Sequence, residues 1–340
     1  MTEHLHRTEV AIVGAGPVGL FAVFEFGMLG MSAHVVDTLE LPGGQCTALY
    51  PEKPIYDIPG FPEIAAAELV ERLRAQAKPF NPVYHFGQQV VGLKRSDDGR
   101  TWRLETSTGT QIDARVVVIA AGAGAFGPNR PPLPGIESFE GKSVHYMVQR
   151  PQDFAGKRVV VAGGGDSAVD WALTLVDIAS RVSVVHRRAK FRAAPDSAGR
   201  LQALAREGRI DLVVPFQLAG LEGSDGRLEA VVVADLDGNT HRIEADALLP
   251  FYGLSMSLGP IAEWGLNLDR HHIAVDPQSC RTNIDRVFAI GDVATYPGKL
   301  KLILTGFAEA AAAAHAAYAL VFEGKALHFE YSTTRGIPSV

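Results

Sequence analysis

The sequence contains little cysteine, and its N-terminus lacks the charged-then-apolar pattern of a signal peptide. Its two cysteines, Cys46 and Cys280, are too few and too far apart for a disulfide framework or a zinc site. No unbroken apolar run reaches the roughly 18–20 residues that cross a membrane. We therefore expect a cytoplasmic protein that has reduced cysteines and no membrane-spanning segment.

The sequence also lacks an excess of positive charge. The formal net charge is −6 at pH 7, which argues against a protein that binds nucleic acid. With 340 residues, 47% of them hydrophobic, the chain can bury a large core and is long enough for two domains of roughly 100–200 residues each. Glycine is abundant, at 35 residues, as expected where the backbone turns tightly or approaches a ligand.

The chain opens with a strand, a glycine-rich turn, a helix and a second strand. These segments are residues 9–13, Gly14-Ala15-Gly16-Pro17-Val18-Gly19, 20–29 and 33–36. In such a βαβ unit Gly14 permits the tight turn, Gly16 lets a pyrophosphate reach the backbone at the helix N-terminus, and Gly19 lets helix and strand pack closely. Asp37 follows the second strand and can accept hydrogen bonds from ribose hydroxyls. The unit therefore predicts a site for a dinucleotide without a 2′-phosphate.

A second βαβ unit repeats this order later in the chain. Its segments are residues 157–161, the turn Gly163-Gly164-Gly165-Asp166-Ser167-Ala168, 169–178 and 181–185. At the spacing where Asp37 ends the first unit, the second has His186, Arg187 and Arg188, with Arg192 close behind. Arginine holds a phosphate with paired charge-assisted hydrogen bonds, whereas a carboxylate would repel it. The second unit therefore predicts NADPH, bound by the glycine turn and by these basic residues.

A third pattern, Val287-Phe288-Ala289-Ile290-Gly291-Asp292, is an apolar strand that ends in a carboxylate. The carboxylate of Asp292 could bind the hydroxyls of a polyol such as a ribityl chain. Further strands are predicted over 210–215, 228–235 and 240–249. The order of all these segments predicts an α/β fold with two Rossmann-like dinucleotide-binding domains. The first domain is expected to be discontinuous, over residues 1–121 and 253–340, and to flank a second domain over 122–252.

Together, the two glycine turns, the stretch HRRAKFR and AIGDVA resemble the two-dinucleotide-binding-domain flavoproteins, in particular the thioredoxin reductase-like group. The resemblance implies three-layer ββα domains, with FAD on the first and NADPH on the second, and hydride transfer between nicotinamide and flavin. Thioredoxin reductases also carry a CxxC disulfide shortly before the second glycine turn. This chain has Tyr146-Met147-Val148-Gln149 there, so a dithiol relay cannot be built and electrons must leave the flavin directly.

Three further stretches resemble one subgroup, the thioredoxin reductase-type ferredoxin–NADP⁺ reductases: LPGGQCTALYPEKPIYDIPGFP, YGLSMSLGPIAEWGLNL and HFEYSTT. The additional FAD contacts that this resemblance implies are Gln45 beside the ring, Tyr50 stacked on one face, Val90 at the adenine, Phe126 near the flavin, and Tyr331 and Thr333 in a C-terminal tail over the other face. His328 is the alternative to Tyr331 as the stacking residue.

The subgroup implies an FAD-dependent enzyme that passes a hydride between NADPH and FAD and then exchanges single electrons with ferredoxin or flavodoxin. The hydride step needs no general acid or base, so no catalytic side chain is named. The resemblance also implies a homodimer, and we hypothesise that Lys299 and Lys301 form a basic docking patch for acidic ferredoxin. Two alternatives stay open: an NADPH-dependent reductase of quinones, free flavins or other small acceptors, and a flavin-binding redox sensor without turnover.

Overall fold

The computed structural model describes residues 5–97, 99–122, 124–148, 150–328 and 332–337. Its strands, numbered β1 to β21 in chain order, are Leu5–Val13, Ala33–Val36, Pro54–Ile55, Ile64–Ala65, Val83–His85, Val90–Arg95, Trp102–Thr106, Gln111–Ile119, Ala125–Pro128, Arg158–Ala162, Arg181–Val185, Asp211–Val213, Gln217–Ser224, Arg227–Ala234, Thr240–Glu244, Ala247–Pro250, Leu254–Ser257, Leu268–Asp269, His272–Ala274, Val287–Ala289 and Ala294–Thr295. Its helices, α1 to α7, are Pro17–Met28, Gln45–Ala48, Ala66–Ala77, Asp166–Leu175, Pro195–Arg206, Ile303–Val321 and Ser332–Arg335. Short 3₁₀ helices lie at Lys78–Phe80, Ile136–Ser138, Pro151–Phe154, Gly259–Glu263 and Gly291–Val293.

The chain divides into two compact units. The first is discontinuous and comprises Met1–Phe126 and Met256–Val340, and the second is Gly127–Ser255. The boundaries expected from the sequence, after residues 121 and 252, lie a few residues earlier.

The core of the first unit is a seven-stranded sheet. Its order is β5-β2-β1-β8-β7-β6, and β20 also pairs with β8. Strands β5, β2, β1, β8 and β20 are parallel, whereas β8, β7 and β6 are antiparallel. In this register Val13 pairs with Val36 and with Ile119, and Val36 pairs with His85. The carboxyl ends of the parallel strands therefore meet at one edge, which is where open α/β sheets bind ligands.

Two layers cover this sheet, because its parallel strands are apolar on both faces. On one face Val10 and Ile12 belong to a core that includes α1 and α6. On the other face Ala11 and Val13 pack with Leu258 and with residues of the small β18-β19-β21 sheet. The first unit thus has a helix layer, a central sheet and a second, smaller sheet.

The second unit has a similar plan on a smaller scale. Its central sheet is parallel, in the order β12-β11-β10-β16, and a separate antiparallel sheet has the order β13-β14-β15. Val161 and Leu201 lie in the core between the central sheet and helices α4 and α5. Val160 and Val231 lie in the core between the two sheets. This is again a three-layer arrangement, although β13 and α5 are not among the segments predicted from the sequence.

Helix α6 requires a correction to one expectation. Among the described residues it is a helix long and apolar enough, by length and composition alone, to cross a membrane, so a membrane-length apolar segment does occur. The helix packs along α1. Its buried residues Ala310, Ala313, Ala314 and Ala317 belong to the core of the first unit. The small alanine side chains let α6 lie close to its neighbours in that core.

Candidate functional site

A cavity lies in the first unit at the carboxyl edge of the central sheet, and its empty space together with the open solvent at its mouth amounts to about 1100 Å³. Its wall contains eight of the residues predicted to bind FAD, namely Gly14, Gly16, Pro17, Asp37, Gln45, Tyr50, Val90 and Asp292. They come from the first glycine turn, the end of β2, the loop around α2, the start of β6 and the turn after β20. The fold therefore brings together segments that lie far apart in the sequence.

The three glycines of the first turn differ in what surrounds them. A Cβ atom at Gly14, whose φ is +113°, would lie 2.3 Å from the Ala120 carbonyl oxygen, and one at Gly19 would lie 2.0 Å from the Gly14 carbonyl oxygen. A Cβ atom at Gly16 would meet no protein atom within 4 Å. Gly14 and Gly19 therefore permit the close packing of turn, strand and helix. Gly16 keeps the cavity open at the N-terminus of α1, where the helix dipole favours an anion.

Asp37 directs its carboxylate into the first glycine turn. The backbone N–H of Ala15 donates to Oδ2 over 2.6 Å, and that of Leu39 donates to Oδ1 over 2.8 Å. Burial raises the pKa of the Asp37 carboxyl, and these backbone hydrogen bonds counteract part of the rise. A carboxylate offers about four lone-pair positions. Asp37 can therefore hold the turn and still accept hydrogen bonds from ligand hydroxyls.

The loop around α2 supplies a polar pair to the cavity. The Tyr50 hydroxyl and the Cys46 thiol are hydrogen-bonded to each other. Burial raises the pKa of the Cys46 thiol to about 11 and raises the pKa of Tyr50 further above its usual value. Both groups are therefore protonated near neutral pH. The tyrosine presents a neutral aromatic ring in a wall that also contains Gln45 and Asp292.

A buried charged group holds the Gly291–Asp292 turn. The Glu309 side chain of α6 accepts hydrogen bonds from the backbone N–H of Gly291 and from the Tyr296 hydroxyl, each over 2.7 Å. Lys299 forms an ion pair with the same carboxylate, and both side chains are 5% exposed. The hypothesis that Lys299 belongs to a docking patch is therefore wrong, because its ammonium group is buried against Glu309. Lys301 is exposed, and its Nζ lies 2.7 Å from His272 Nε2.

We expect Lys299→Met to lower the free energy of unfolding by about 3 kcal/mol, because it leaves the Glu309 charge buried without its cation. The matched Lys301→Met change removes an exposed charge and should cost less than about 0.5 kcal/mol. Urea unfolding of both variants, followed by circular dichroism, measures the difference. Equal midpoints for the two variants would contradict the structural role of Lys299.

The glycine turn of the second unit has the same construction as the first. A Cβ atom at Gly163 would lie 2.6 Å from the Phe251 carbonyl oxygen, whereas one at Gly165 would meet nothing within 4 Å. The position between them differs, because a Cβ atom at Gly164 would lie 2.3 Å from the ring of His186. The His186 ring thus lies against the turn at the place where Asp37 lies against Ala15 in the first unit.

His186 and the arginines that follow it differ in burial and in charge. His186 is 8% exposed, its Nε2 has no hydrogen-bond partner among the residues that the structure describes, and burial lowers its pKa. It is therefore a neutral ring that packs beneath the turn rather than a cation for a phosphate. Arg187, Arg188 and Arg192 are exposed, and no carboxylate among the described residues forms an ion pair with any of them. The Arg192 N–H donates to the Gly164 carbonyl oxygen over 2.7 Å, which ties this basic loop to the glycine turn.

The remaining NADPH residues lie at the start of α4. Asp166 and Ser167 are exposed in its first turn. The Asp166 carboxylate accepts a hydrogen bond from the backbone N–H of Ala194 over 2.8 Å, so it helps to hold the end of the basic loop. The hydroxyl of Ser167 is left at the helix N-terminus, where a phosphate would lie.

The structure describes neither the Tyr331 nor the Phe126 side chain, both of which were predicted to contact the flavin. Tyr331 lies outside the described residues. Phe126 lies in β9, and the structure describes its backbone only. Thr333 is exposed in the short helix α7, and His328 is also exposed. Among the described residues no group of three or more His, Cys, Asp or Glu side chains could hold a metal ion.

Sequence reasoning missed several residues of the cavity wall. These are, among others, Val18, Thr38, Leu39, Gln88, Gln89, Leu258, Ile261 and Ile303. Most are neighbours of predicted residues in the sequence, so the motif positions could have been extended by one or two residues. Leu258 and Ile261 come from the stretch SLGPIAEW, whose place in the wall depends on tertiary packing.

Comparison with known proteins gives one family. The family described as pyridine nucleotide-disulphide oxidoreductase matches residues 8–317. A curated relative from Paramagnetospirillum magneticum, named ferredoxin–NADP reductase, is 63% identical over 333 residues, which cover 98% of this chain and 98% of the relative. A relative with the same name from Rhodospirillum rubrum is 61% identical over 336 residues, which cover 98% and 97%.

Solved structures with the same fold include thioredoxin reductases. That of Lactococcus lactis superposes with a TM-score of 0.79 at 25% identity and covers 92% of this chain and 99% of its own. That of T. acidophilum gives a TM-score of 0.79 at 24% identity, with 92% and 98% covered. These matches confirm the predicted α/β fold with two Rossmann-like domains. They also show that the chain belongs to the pyridine nucleotide-disulphide oxidoreductase family, among the thioredoxin reductase-like ferredoxin–NADP reductases.

Proposed function

We propose that this protein is an FAD-dependent oxidoreductase that exchanges electrons between NADPH and ferredoxin. The reaction is NADPH + 2 oxidised ferredoxin ⇌ NADP⁺ + 2 reduced ferredoxin + H⁺. The observation that carries the proposal is the contrast between the two glycine turns. The first lines a cavity together with a carboxylate, and the second is followed by exposed arginines that form no ion pair with a carboxylate in the described part of the chain. The names of relatives that are 61–63% identical over nearly the whole chain support the same activity.

The cavity of the first unit has the donor set that FAD requires. Gly16 and the N-terminus of α1 would receive the pyrophosphate, because a side chain is absent there and the space is open. Asp37 would accept hydrogen bonds from the ribose hydroxyls, and Asp292 from the ribityl chain. Val90 would contact the adenine, while Gln45 and Tyr50 would hold the ring system. When bound, FAD supplies the redox chemistry, since it accepts a hydride and returns electrons one at a time.

The second unit would hold NADPH by its phosphates. Gly165 leaves space at the N-terminus of α4 for the pyrophosphate, and Arg187, Arg188 and Arg192 would bind the ribose 2′-phosphate. His186 supports the turn from beneath and adds no charge. The chain therefore binds and orients the donor, and no side chain has to move a proton in the hydride step.

A thiol relay is not part of this proposal. Cys46 and Cys280 are both free and buried. Burial raises the pKa of Cys46 to about 11 and that of Cys280 to about 12. Neither is a thiolate near neutral pH, and the thiolate is the form that attacks disulfides. The electrons would therefore pass to an external protein acceptor rather than to a dithiol of this chain.

Several finer points remain predictions. Flavodoxin as a second acceptor, a homodimer, and the cover of the flavin by Tyr331 and Thr333 follow from the family resemblance alone, and the cytoplasmic location follows from the composition and the N-terminal sequence alone. Of the two lysines considered for ferredoxin docking, Lys301 is the one with an exposed ammonium group.

We expect the purified holoprotein to show a flavin spectrum that NADPH bleaches within one turnover under anaerobic conditions. NADH should react at least about 100-fold less efficiently, since it cannot use the arginines that would bind the 2′-phosphate. Reduction of a ferredoxin at low micromolar concentration distinguishes this enzyme from a reductase of small acceptors. A preference for NADH, slow bleaching, or turnover with quinones but not ferredoxin would contradict the proposal.

A further inference from the structure

Three histidines cluster near the cavity, on strands that come from different parts of the chain. His34 of β2 and His85 of β5 are 9% and 8% exposed, and His34 Nδ1 lies 2.9 Å from His85 Nε2. The ring of His6, from β1, lies 5.2 Å from the His34 ring and 5.0 Å from the His85 ring, centre to centre. Neither the glycine motifs nor the proposed electron transfer uses these side chains.

The His34–His85 pair joins the two strands that carry the adenosine side of the cavity. Val36 pairs with His85 in the sheet, and the Asp37 N–H donates to the His85 carbonyl oxygen over 3.0 Å. After β5 the chain returns to the same strand end, because the Gln88 N–H donates to the Asp37 carbonyl oxygen over 3.0 Å. Asp37 and Gln88 both line the cavity. The imidazole pair is therefore a side-chain contact between the two strands in the register that places Asp37 against this wall.

The contact between the rings exists only while at least one ring is neutral. In the neutral pair one ring nitrogen donates its N–H and the other accepts it, whereas two imidazolium rings have no acceptor. The pKa of His34 is lowered from 6.5 to about 4, mainly by burial and also by charge repulsion from His85 and His6. Burial and His6 also lower the pKa of His85. No carboxylate among the described residues helps to hold a proton on either ring.

The sign of the pH effect follows from these shifts. The neutral form of a buried histidine with a lowered pKa stabilises the closed arrangement fully when the pH is above 6.5, the ordinary pKa. This stabilisation is lost as the pH falls towards the lowered pKa. Any state that releases the pair binds a proton more tightly than the closed state. Acid therefore favours opening at β2 and β5, next to Asp37.

We propose that the His34–His85 pair positions the adenosine wall of the cavity, and that protonation of this pair at acid pH releases FAD. The inference rests on the proposed binding of FAD in this cavity. If the FAD-free protein is in the released state and His34 recovers its ordinary pKa there, FAD affinity falls about 30-fold between pH 7.5 and pH 5.0. His6 adds to the effect, because a charge on its ring would act on both members of the pair.

The test uses amide side chains that keep the contact without titrating. In His34→Asn the amide occupies the place of Nδ1, and in His85→Gln it occupies the place of Nε2, so the double variant retains a hydrogen bond between β2 and β5. His241→Asn, at an exposed position of β15, is the matched control. FAD affinity is measured for each protein by fluorescence quenching at pH 7.5 and pH 5.0, in the presence of EDTA.

The wild type and His241→Asn should each lose affinity about 30-fold at pH 5.0, and the double variant less than about threefold. An acid-stable wild type, or a double variant as acid-labile as the wild type, overturns the inference. Failure of the wild type to bind FAD at pH 7.5 would instead contradict the proposed function. If the wild type does not bind FAD, or if the double variant does not fold, a second measurement still tests the role of the His34–His85 pair. The histidine signals of the wild type are followed by NMR against pH, and titration of both rings near pH 6.5 in the folded protein would overturn the inference.

Discussion

Replacement of Arg187 and Arg188 by alanine is expected to lower kcat/KM for NADPH about 300-fold and to leave that for NADH almost unchanged. Each guanidinium would form charge-assisted hydrogen bonds to the ribose 2′-phosphate, worth about 1.5–3 kcal/mol apiece, and NADH lacks that phosphate. Both side chains are exposed and have no ion-pair partner among the described residues, so their removal leaves no buried charge. Steady-state kinetics with the two nucleotides measures the change.

The control for this experiment is Arg206→Ala. Arg206 is an exposed arginine in the last turn of α5, whose one described hydrogen bond runs to a carbonyl oxygen of its own helix. This control removes one positive charge from the same unit, so both nucleotides should keep their kcat/KM within about twofold. A parallel loss for NADPH and NADH in the double arginine variant would show damage to the turn rather than loss of 2′-phosphate binding.

The two glycine turns could be predicted from the sequence because their chemistry is set by the backbone. Gly14 has a φ of +113°, which residues other than glycine rarely adopt, and at Gly19 there is no space for a side chain. Both positions therefore require glycine. Asp37 was predictable for a related reason, since a strand end next to such a turn has a fixed position in a βαβ unit. These features are local, and a single stretch of sequence contains all of them.

Burial could not be predicted in the same way. The sequence groups His186 with Arg187 as basic, but the histidine packs under Gly164 as a neutral ring. The sequence predicts Lys299 as a surface charge, but in the structure it forms a buried ion pair with Glu309 of α6. In both cases the residue that contacts the side chain lies elsewhere in the chain. The residue type therefore shows that a charge is possible, and tertiary packing determines whether the side chain is charged and exposed.

Strand β13 and helix α5 of the second unit were missed for different physical reasons. Strand β13 contains glycines and exposed polar residues, and it is held by its pairing with β14 rather than by an apolar pattern of its own. Helix α5 has one fully buried residue, Leu201, so its hydrophobic face is narrow. Leu258 and Ile261 were missed as residues of the cavity wall because they pack in the core beside the second sheet layer, and only tertiary packing brings that core to the cavity.

The first glycine turn gives the other large expected effect, since Gly16→Val should abolish FAD binding without unfolding the protein. The backbone at Gly16, with φ −68° and ψ 178°, is one that valine adopts readily, and a Cβ there meets no protein atom within 4 Å. The added side chain would instead occupy the space proposed for the pyrophosphate. We expect FAD affinity to fall more than about 100-fold, because close backbone approach at the helix N-terminus is lost.

Two other glycines separate this steric block from a loss of stability. Gly199→Val, in α5, makes the same change where a Cβ also meets nothing within 4 Å, and the variant should keep its flavin. Gly19→Ala would force a Cβ to within 2.0 Å of the Gly14 carbonyl oxygen, so it should lower the unfolding free energy by about 2–4 kcal/mol. Flavin content by absorbance, together with thermal unfolding of the apoproteins, tests all three. A Gly16→Val protein that retains stoichiometric FAD would mean that the pyrophosphate does not lie over this turn, and the assignment of the first cavity to FAD would then fail.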